Sequence, residues 1–168
     1  MRKELNLPTI HYEFLQLDAR GSKIIKQFLN ELDAQADILE FDFDKETEFR
    51  HLNSFLAYAS KILKEAQYYG SKKNFCVLAK ENGKIVGFRM IVFDTTGKVS
   101  NVFNGVLFSH TRRGIATRLV KETHDYLKKM GIRKYETSVN EYSGAAIEKV
   151  VGKRKMRKLR DKLHSVFI

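Results

Sequence analysis

The sequence predicts an α+β protein of the α/β sandwich type, with a mixed, mostly antiparallel central sheet flanked by helices. Three observations carry this. Two strand-like apolar runs, 74–79 and 84–93, are joined through Asn82-Gly83, and a third run over 98–108 follows directly. Stretches with apolar residues at helical spacing lie on both sides of this β-rich block, and an order of strands and helices of this kind points to helices packed on a sheet.

Taken in order, His11 to Leu17 alternates as a first strand, and Ala19-Arg20-Gly21-Ser22 turns the chain. Ile24, Ile25, Phe28, Leu29 and Leu32 then recur at the spacing of a first helix. A second, long amphipathic helix is predicted from Asp44 to Gly70, with Phe49, Leu52, Phe55, Leu56, Ala59, Ile62, Leu63 and Ala66 on its apolar face. Lys80-Glu81-Asn82-Gly83 closes the hairpin, because Asn-Gly supplies the positive φ angles of a tight turn. Thr95-Thr96-Gly97 starts the third antiparallel run. A helix follows from Gly114 to Gly131, with Ile115, Leu119, Val120, Thr123, Tyr126 and Leu127 inward and lysines near its end that suit the helix dipole. Tyr135 to Val139 reads as a strand of parallel type and Tyr142 to Val151 as a last helix. The final sixteen residues fit either a basic helix or a short hairpin turning at Asp161.

The 168 residues suit a single domain, 1–168, with a basic C-terminal segment 153–168. A domain of this size buries roughly 70% of its unfolded surface. The start of the chain lacks the apolar stretch of a signal peptide, and no apolar run approaches the roughly 20 residues of a membrane span. The expectation is a cytoplasmic protein with no membrane partner. Cys76, the single cysteine, lies in the apolar run Phe75-Cys76-Val77-Leu78 and reads as a buried core thiol. The five histidines are scattered, so no metal site is expected. The net charge of +11 is divided unevenly: eight acids and one lysine lie between Glu31 and Glu48, seven bases and one acid between Lys153 and Lys162.

The segment richest in chemistry is Val106-Leu107-Phe108-Ser109-His110-Thr111-Arg112-Arg113-Gly114-Ile115-Ala116-Thr117. It sets a strand end, a basic loop and a helix start in succession. Unpaired N–H groups at a helix N-terminus, aided by the helix dipole, favour an anion there, and small residues admit a pyrophosphate to the backbone. Gly114 and Ala116 leave room, Arg112 and Arg113 add charge, and Thr117 offers a hydroxyl.

Together, the hairpin, third strand, basic loop, four-turn helix, strand and Asn-led helix over roughly 73–152 resemble the GNAT acetyltransferase family. The family's loop reads Gln/Arg-x-x-Gly-x-Gly/Ala, and Thr111-Arg112-Arg113-Gly114-Ile115-Ala116 matches it everywhere except at Thr111. The resemblance implies an acyl-CoA-dependent N-acyltransferase, with acetyl-CoA as co-substrate and no metal. It implies that the backbone near Val106 bonds the pantetheine arm like an added strand, in a splay between the third run and the strand ending at Val139. Residues Arg112, Arg113, Gly114, Ile115, Ala116 and Thr117 would cradle the pyrophosphate. Asn140 is the candidate for a side-chain contact to pantetheine; an ordinary helix-entry asparagine is the other reading.

The reaction implied is direct attack of a neutral amine on the thioester, with a base, an oxyanion-stabilising N–H and an acid for the thiolate. The family often places the acidic tyrosine where this chain has Ile147, and its Gly-Phe pair is here Gly152-Lys153. Tyr142 is the nearby substitute. Glu136 is the candidate base, on the opposite strand face from Tyr135 and Thr137, with a water relay as the alternative. The resemblance puts the acidic run over 31–48 at the wall of the acceptor site, where it would suit a cationic amine such as a polyamine, an aminoglycoside, a lysine side chain or a protein N-terminus; a solvated acidic helix face is the other reading. The basic tract suggests a second class of partner, nucleic acid, through acetylation of charged tRNA or as an RNA-binding module.

Overall fold

The Asn82-Gly83 hairpin lies at the centre of the fold. A computed structural model describes residues 8–35, 39–41, 52–69, 72–139, 141–161 and 163–168. Strand β3 (Phe75–Glu81) turns through Asn82 (φ 50°) and Gly83 (φ 77°) into β4 (Lys84–Phe93). Two successive positive φ angles give a turn whose twist matches its strands. Strand β4 pairs antiparallel with β5 (Val99–Leu107), and β3 with β1 (Ile10–Gln16). A three-residue strand, β2 (Leu39–Phe41), is added on the far edge of β5, giving the order β1-β3-β4-β5-β2.

Helices α1 (Ala19–Gln35) and α2 (Leu52–Tyr69) cover one face of this sheet, and α3 (Ile115–Lys129) and α4 (Glu141–Val151) cover the other. Strands buried on both sides read as continuous apolar runs, which is why 75–79 and 85–93 show no polar alternation. Cys76, Leu78, Phe88, Met90 and Val92 pack toward Ile25, Leu29, Ile62 and Leu63. Val77, Ala79, Ile91 and Phe93 pack toward Ile115, Leu119, Leu127 and Ile147. Cys76 is fully buried, and that burial pushes its thiol far above the ordinary range, as expected of a core thiol. The expected start of α2 at Asp44, with Phe49, lies outside the described residues; Ala59, Ile62, Leu63 and Ala66 are buried as its apolar face requires.

A second sheet has the order β6-β8-β7, from β6 (Lys134–Ser138), β7 (Met156–Arg160) and β8 (Leu163–Phe167). It decides the open question of the C-terminal segment: the chain forms a hairpin, with Asp161 at φ 37° in its turn. It also corrects the parallel-type reading of β6, whose ladder among the described residues is antiparallel, to β8. Strand β6 lies against β5 without sharing a ladder with it, so the two sheets part between them. Among the described residues no helix is long and apolar enough to cross a membrane. Nor does any group of three or more His, Cys, Asp or Glu side chains there suit a metal ion.

Candidate acetyl-CoA site

The loop from β5 to α3 is built by backbone conformations that few residues accept. After a single 3₁₀ turn over Phe108–His110, Arg112 takes φ 59° and Gly114 takes φ 77°, ψ 8°. Left-handed geometry costs a residue with a Cβ about 1–2 kcal/mol, and glycine avoids that cost. Gly114 is the N-cap of α3 and provides no side-chain cap, while its carbonyl accepts the first helical bond from the Arg118 N–H. The N–H groups of Ile115, Ala116 and Thr117 therefore point out of the helix end without intrahelical partners. A Cβ built on Gly114 would meet nothing within 4 Å, so the backbone at this helix end is open to its surroundings. Ile115 itself is buried, and its side chain seats the helix end on the sheet.

The loop is tied to the hairpin by one carboxylate. Glu81 accepts from His110 Nε2 at 2.7 Å and pairs with Arg113 Nη2 at 2.7 Å, and Arg113 also donates to the Pro8 carbonyl at 3.2 Å. With the His110 Nε2–H given to Glu81, the other ring nitrogen, Nδ1, shares a hydrogen bond with the Ser109 hydroxyl at 2.8 Å. The hydrogen bond from His110, and then that from Arg113, hold the Glu81 carboxyl below the usual range. The two arginines predicted for the cradle are thus distinct. Arg113 is committed to Glu81 and fixes the loop, whereas Arg112 is exposed at its apex.

Val106 is buried within β5, and its backbone edge carries an unforeseen neighbour. Strand β2 pairs there in the register Leu39↔Leu107, Glu40↔Val106 and Phe41↔Gly105. The edge on which the sequence placed an added strand is thus already lined by a strand of the chain itself. Three residues inside an acidic run carry no strand signal of their own, so the sequence reading missed it.

Between β5 and β6 lies a buried polar cluster that the sequence reading also missed. Arg89 on β4 donates to Asn104 Oδ1 on β5 at 2.9 Å and to the Tyr135 hydroxyl on β6 at 3.2 Å; that hydroxyl lies 2.8 Å from His124 Nε2 on α3. Burial first, and then the charge of Arg89, depress His124 to a pKa of about 3, so the ring is neutral. A hydroxyl that accepts from Arg89 keeps its own hydrogen for Nε2. The signal for His124 was its place four residues after Val120, on the inner face of α3.

The remaining predicted residues are dispersed. Ala116 and Thr117 are half-buried in the first turn of α3. Glu136 is exposed, on the opposite face of β6 from buried Tyr135. Tyr142 belongs to the first turn of α4, but its side chain lies outside the described residues, as does Asn140. Ile147, at the family's tyrosine position, is buried in the core beside α3. Beyond the loop, a cavity of about 700 Å³ opens between α1 and the hairpin, lined by Ile24, Gln27, Glu31, Glu81, Leu107 and His110 among others.

Residues 26–152 match the model of the acetyltransferase (GNAT) family. The chain belongs to that family. Among solved structures, the PaiA N-acetyltransferase of Thermoplasma acidophilum, in complex with coenzyme A, is similar over 95% of this GNAT chain and 99% of its own, with TM-score 0.60 and 12% identity. A GNAT acetyltransferase from Streptococcus pneumoniae is similar over 94% and 99%, with TM-score 0.54 and 17% identity. The catalytic domain of a Tetrahymena histone acetyltransferase, in complex with coenzyme A, is similar over 96% and 94%, with TM-score 0.54 and 14% identity. These likenesses extend the shared fold to nearly the whole chain. No curated protein matches it in sequence.

Proposed function

We propose that the chain, acting as one domain, transfers an acetyl group from acetyl-CoA to an amine by direct attack. The observation that carries this reading is the β5-to-α3 junction in a GNAT chain: an uncapped helix N-terminus behind two left-handed residues, with Arg112 at its apex. The N–H groups of Ile115, Ala116 and Thr117 would hold the pyrophosphate, with Arg112 as the exposed counter-charge and Arg113 as the strut that fixes the loop. Acetyl-CoA supplies the thioester. Bonding of its pantetheine arm to the β5 edge at Gly105–Leu107 requires β2 to withdraw from that edge.

The cavity beside the loop is lined by Glu31 and Lys84, with Glu81 committed to Arg113 and Lys80 to Glu13, so a cationic acceptor is proposed from the acidic run over 31–48 and not from this lining. For the proton transfers we favour a water relay as the route from the ammonium, since Glu136 faces solvent. Tyr142, placed at the start of α4, is the acid assigned to the departing thiolate, and Asn140 the contact to pantetheine.

Thermal melts with acetyl-CoA and CoA test the reading, combined with mass spectrometry of an amine panel. A ligand of the folded form stabilises by about 2.7 kcal/mol at a hundredfold excess over its Kd. Gly114→Glu should nearly abolish that shift, through bulk and like charge. Gly114→Asn, which tolerates a positive φ, should stay folded and weaken it less. A folded protein whose melt is unmoved by saturating CoA species would overturn the proposal.

A further inference from the structure

We propose that the outer face and free edge of the β6-β8-β7 sheet bind single-stranded nucleic acid. This rests on the β6-β8-β7 sheet alone and is independent of the acetyl-transfer reading.

Charge is the first ground. Lys153, Arg154, Lys155, Arg157, Lys158 and Arg160 are all exposed, and among the described residues none of them joins an ion pair. The stretch from Lys153 to Lys162 holds seven bases to one acid, whereas elsewhere acids stand among the cations, as in Lys61–Glu65, Lys80–Glu13, Arg118–Glu122 and Lys121–Asp125, although exposed Lys23, Lys26 and Lys64 join no ion pair among the described residues. A solvated face ordinarily mixes the signs in this way. The hairpin does not, so its field is left for an external polyanion.

Geometry is the second. Strand β7 is the edge of its sheet, about 10 Å from β6 at the usual strand spacing. Its residues advance about 3.3 Å each, so same-face side chains recur at roughly 6.6 Å, a spacing suited to successive phosphates of an extended strand. The register Glu136↔Ser165↔Arg157 puts Arg157 on the face of exposed Glu136 and opposite to Val166 and Tyr135, with Ser165 buried between the two longer side chains. A register shift between Lys158 and Arg160 brings Arg160 opposite Leu163, on that same outer face, and Leu159 is 43% exposed.

An aromatic platform is the third. Phe167 is 40% exposed, pairs across to Lys134, and has Lys134 Nζ 5.5 Å from its ring centroid. Cations tracking a backbone beside an exposed ring for base stacking are the two elements of non-specific single-strand binding. The one carboxylate in this register row is Glu136, which opposes the anion and limits its approach along β6. A bilayer surface would call for apolar and charged residues on separate faces. On the outer face they are mixed: the register sets Phe167 on the same face as Lys134, Glu136 and Arg157.

Fluorescence anisotropy with a labelled fifteen-nucleotide oligouridine, run on the full chain across a salt series, tests this. Arg157→Gln with Arg160→Gln should weaken binding at least tenfold and lower the salt slope by about 1.4, two phosphate contacts at about 0.7 each. Phe167→Ala should weaken binding about five- to 150-fold and leave the slope unchanged, as lost stacking does. Lys121→Gln, an exposed lysine on α3, should change little. Retained melting temperature in each variant shows that the hairpin is still folded. Absence of binding at 50 mM salt, an equal loss in Lys121→Gln, or full displacement of the RNA by CoA, which would put it in the Arg112 loop, would each overturn the proposal. So would binding to phosphatidylserine vesicles with none to RNA.

Discussion

The two faces of the five-stranded sheet are packed on different terms. Toward α1 and α2 the strands present Cys76, Leu78, Phe88, Met90, Val92 and Phe103, an almost wholly apolar layer. Toward α3 they present Val77, Ile91, Phe93 and Val106, but with Arg89 and Asn104 among them, bonded to Tyr135 and so to His124. Hydrocarbon contacts hold layers together without fixing their register, whereas hydrogen bonds are directional. The apolar face therefore contributes stability. The polar face ties β4, β5, β6 and α3 into one arrangement where the two sheets part, beside the proposed pantetheine edge.

The comparison is broken most strongly from the apolar side. Phe88→Ala removes a fully buried ring that packs against Phe28 and Phe103 and should cost about 3–5 kcal/mol in urea unfolding. The CoA affinity of the protein that remains folded should hardly change. A comparable loss of affinity would mean that the apolar face also positions the site. A smaller stability effect is expected on the other face: Tyr135→Phe leaves Arg89 and His124 without their shared hydroxyl and should cost about 1–3 kcal/mol. Here CoA affinity should fall as well. Unchanged affinity would reduce the cluster to core structure.

The smallest effect near neutral pH comes from His124. Its folded pKa is about 3, below the unfolded value of about 6.5. Between those values the unfolded chain binds the extra proton, so stability is fully present above pH 6.5 and falls as pH drops toward 3. Melts of the wild type and of His124→Gln across pH 4–7 should show a shallower decline in the variant. Parallel curves would assign the acid sensitivity to other groups.

What was legible in the sequence was what local chemistry specifies. Asn82-Gly83 fixed the hairpin, Gly114 and Gly131 bracketed α3, and Ala59, Ile62, Leu63 and Ala66 kept helical spacing whatever they packed on. The β5-to-α3 loop was legible for the same reason. The missed features depend on partners distant in the chain. Strand β2 is defined by residues 105–107, and Arg89 is made tolerable by Asn104, Tyr135 and His124. The C-terminal hairpin stayed ambiguous because β7 buries almost nothing, leaving only Asp161 and the buried Val166 of β8 to mark it.

The position of β2 would make it an intramolecular competitor of the coenzyme at the proposed pantetheine edge. If Leu39–Phe41 and the pantetheine arm claim the same backbone edge, coenzyme entry is an exchange of one strand for another. Its apparent affinity is then the intrinsic affinity multiplied by the fraction of molecules whose edge is free, so that a free fraction of about one in ten weakens binding about tenfold. Because Glu40 belongs to the exchanged strand, entry of the coenzyme also relocates acidic charge. Any cationic acceptor that draws the acidic segment away from β5 would raise the occupancy of coenzyme, and by reciprocity bound coenzyme would raise the affinity for that acceptor. The two substrates would then bind cooperatively without touching.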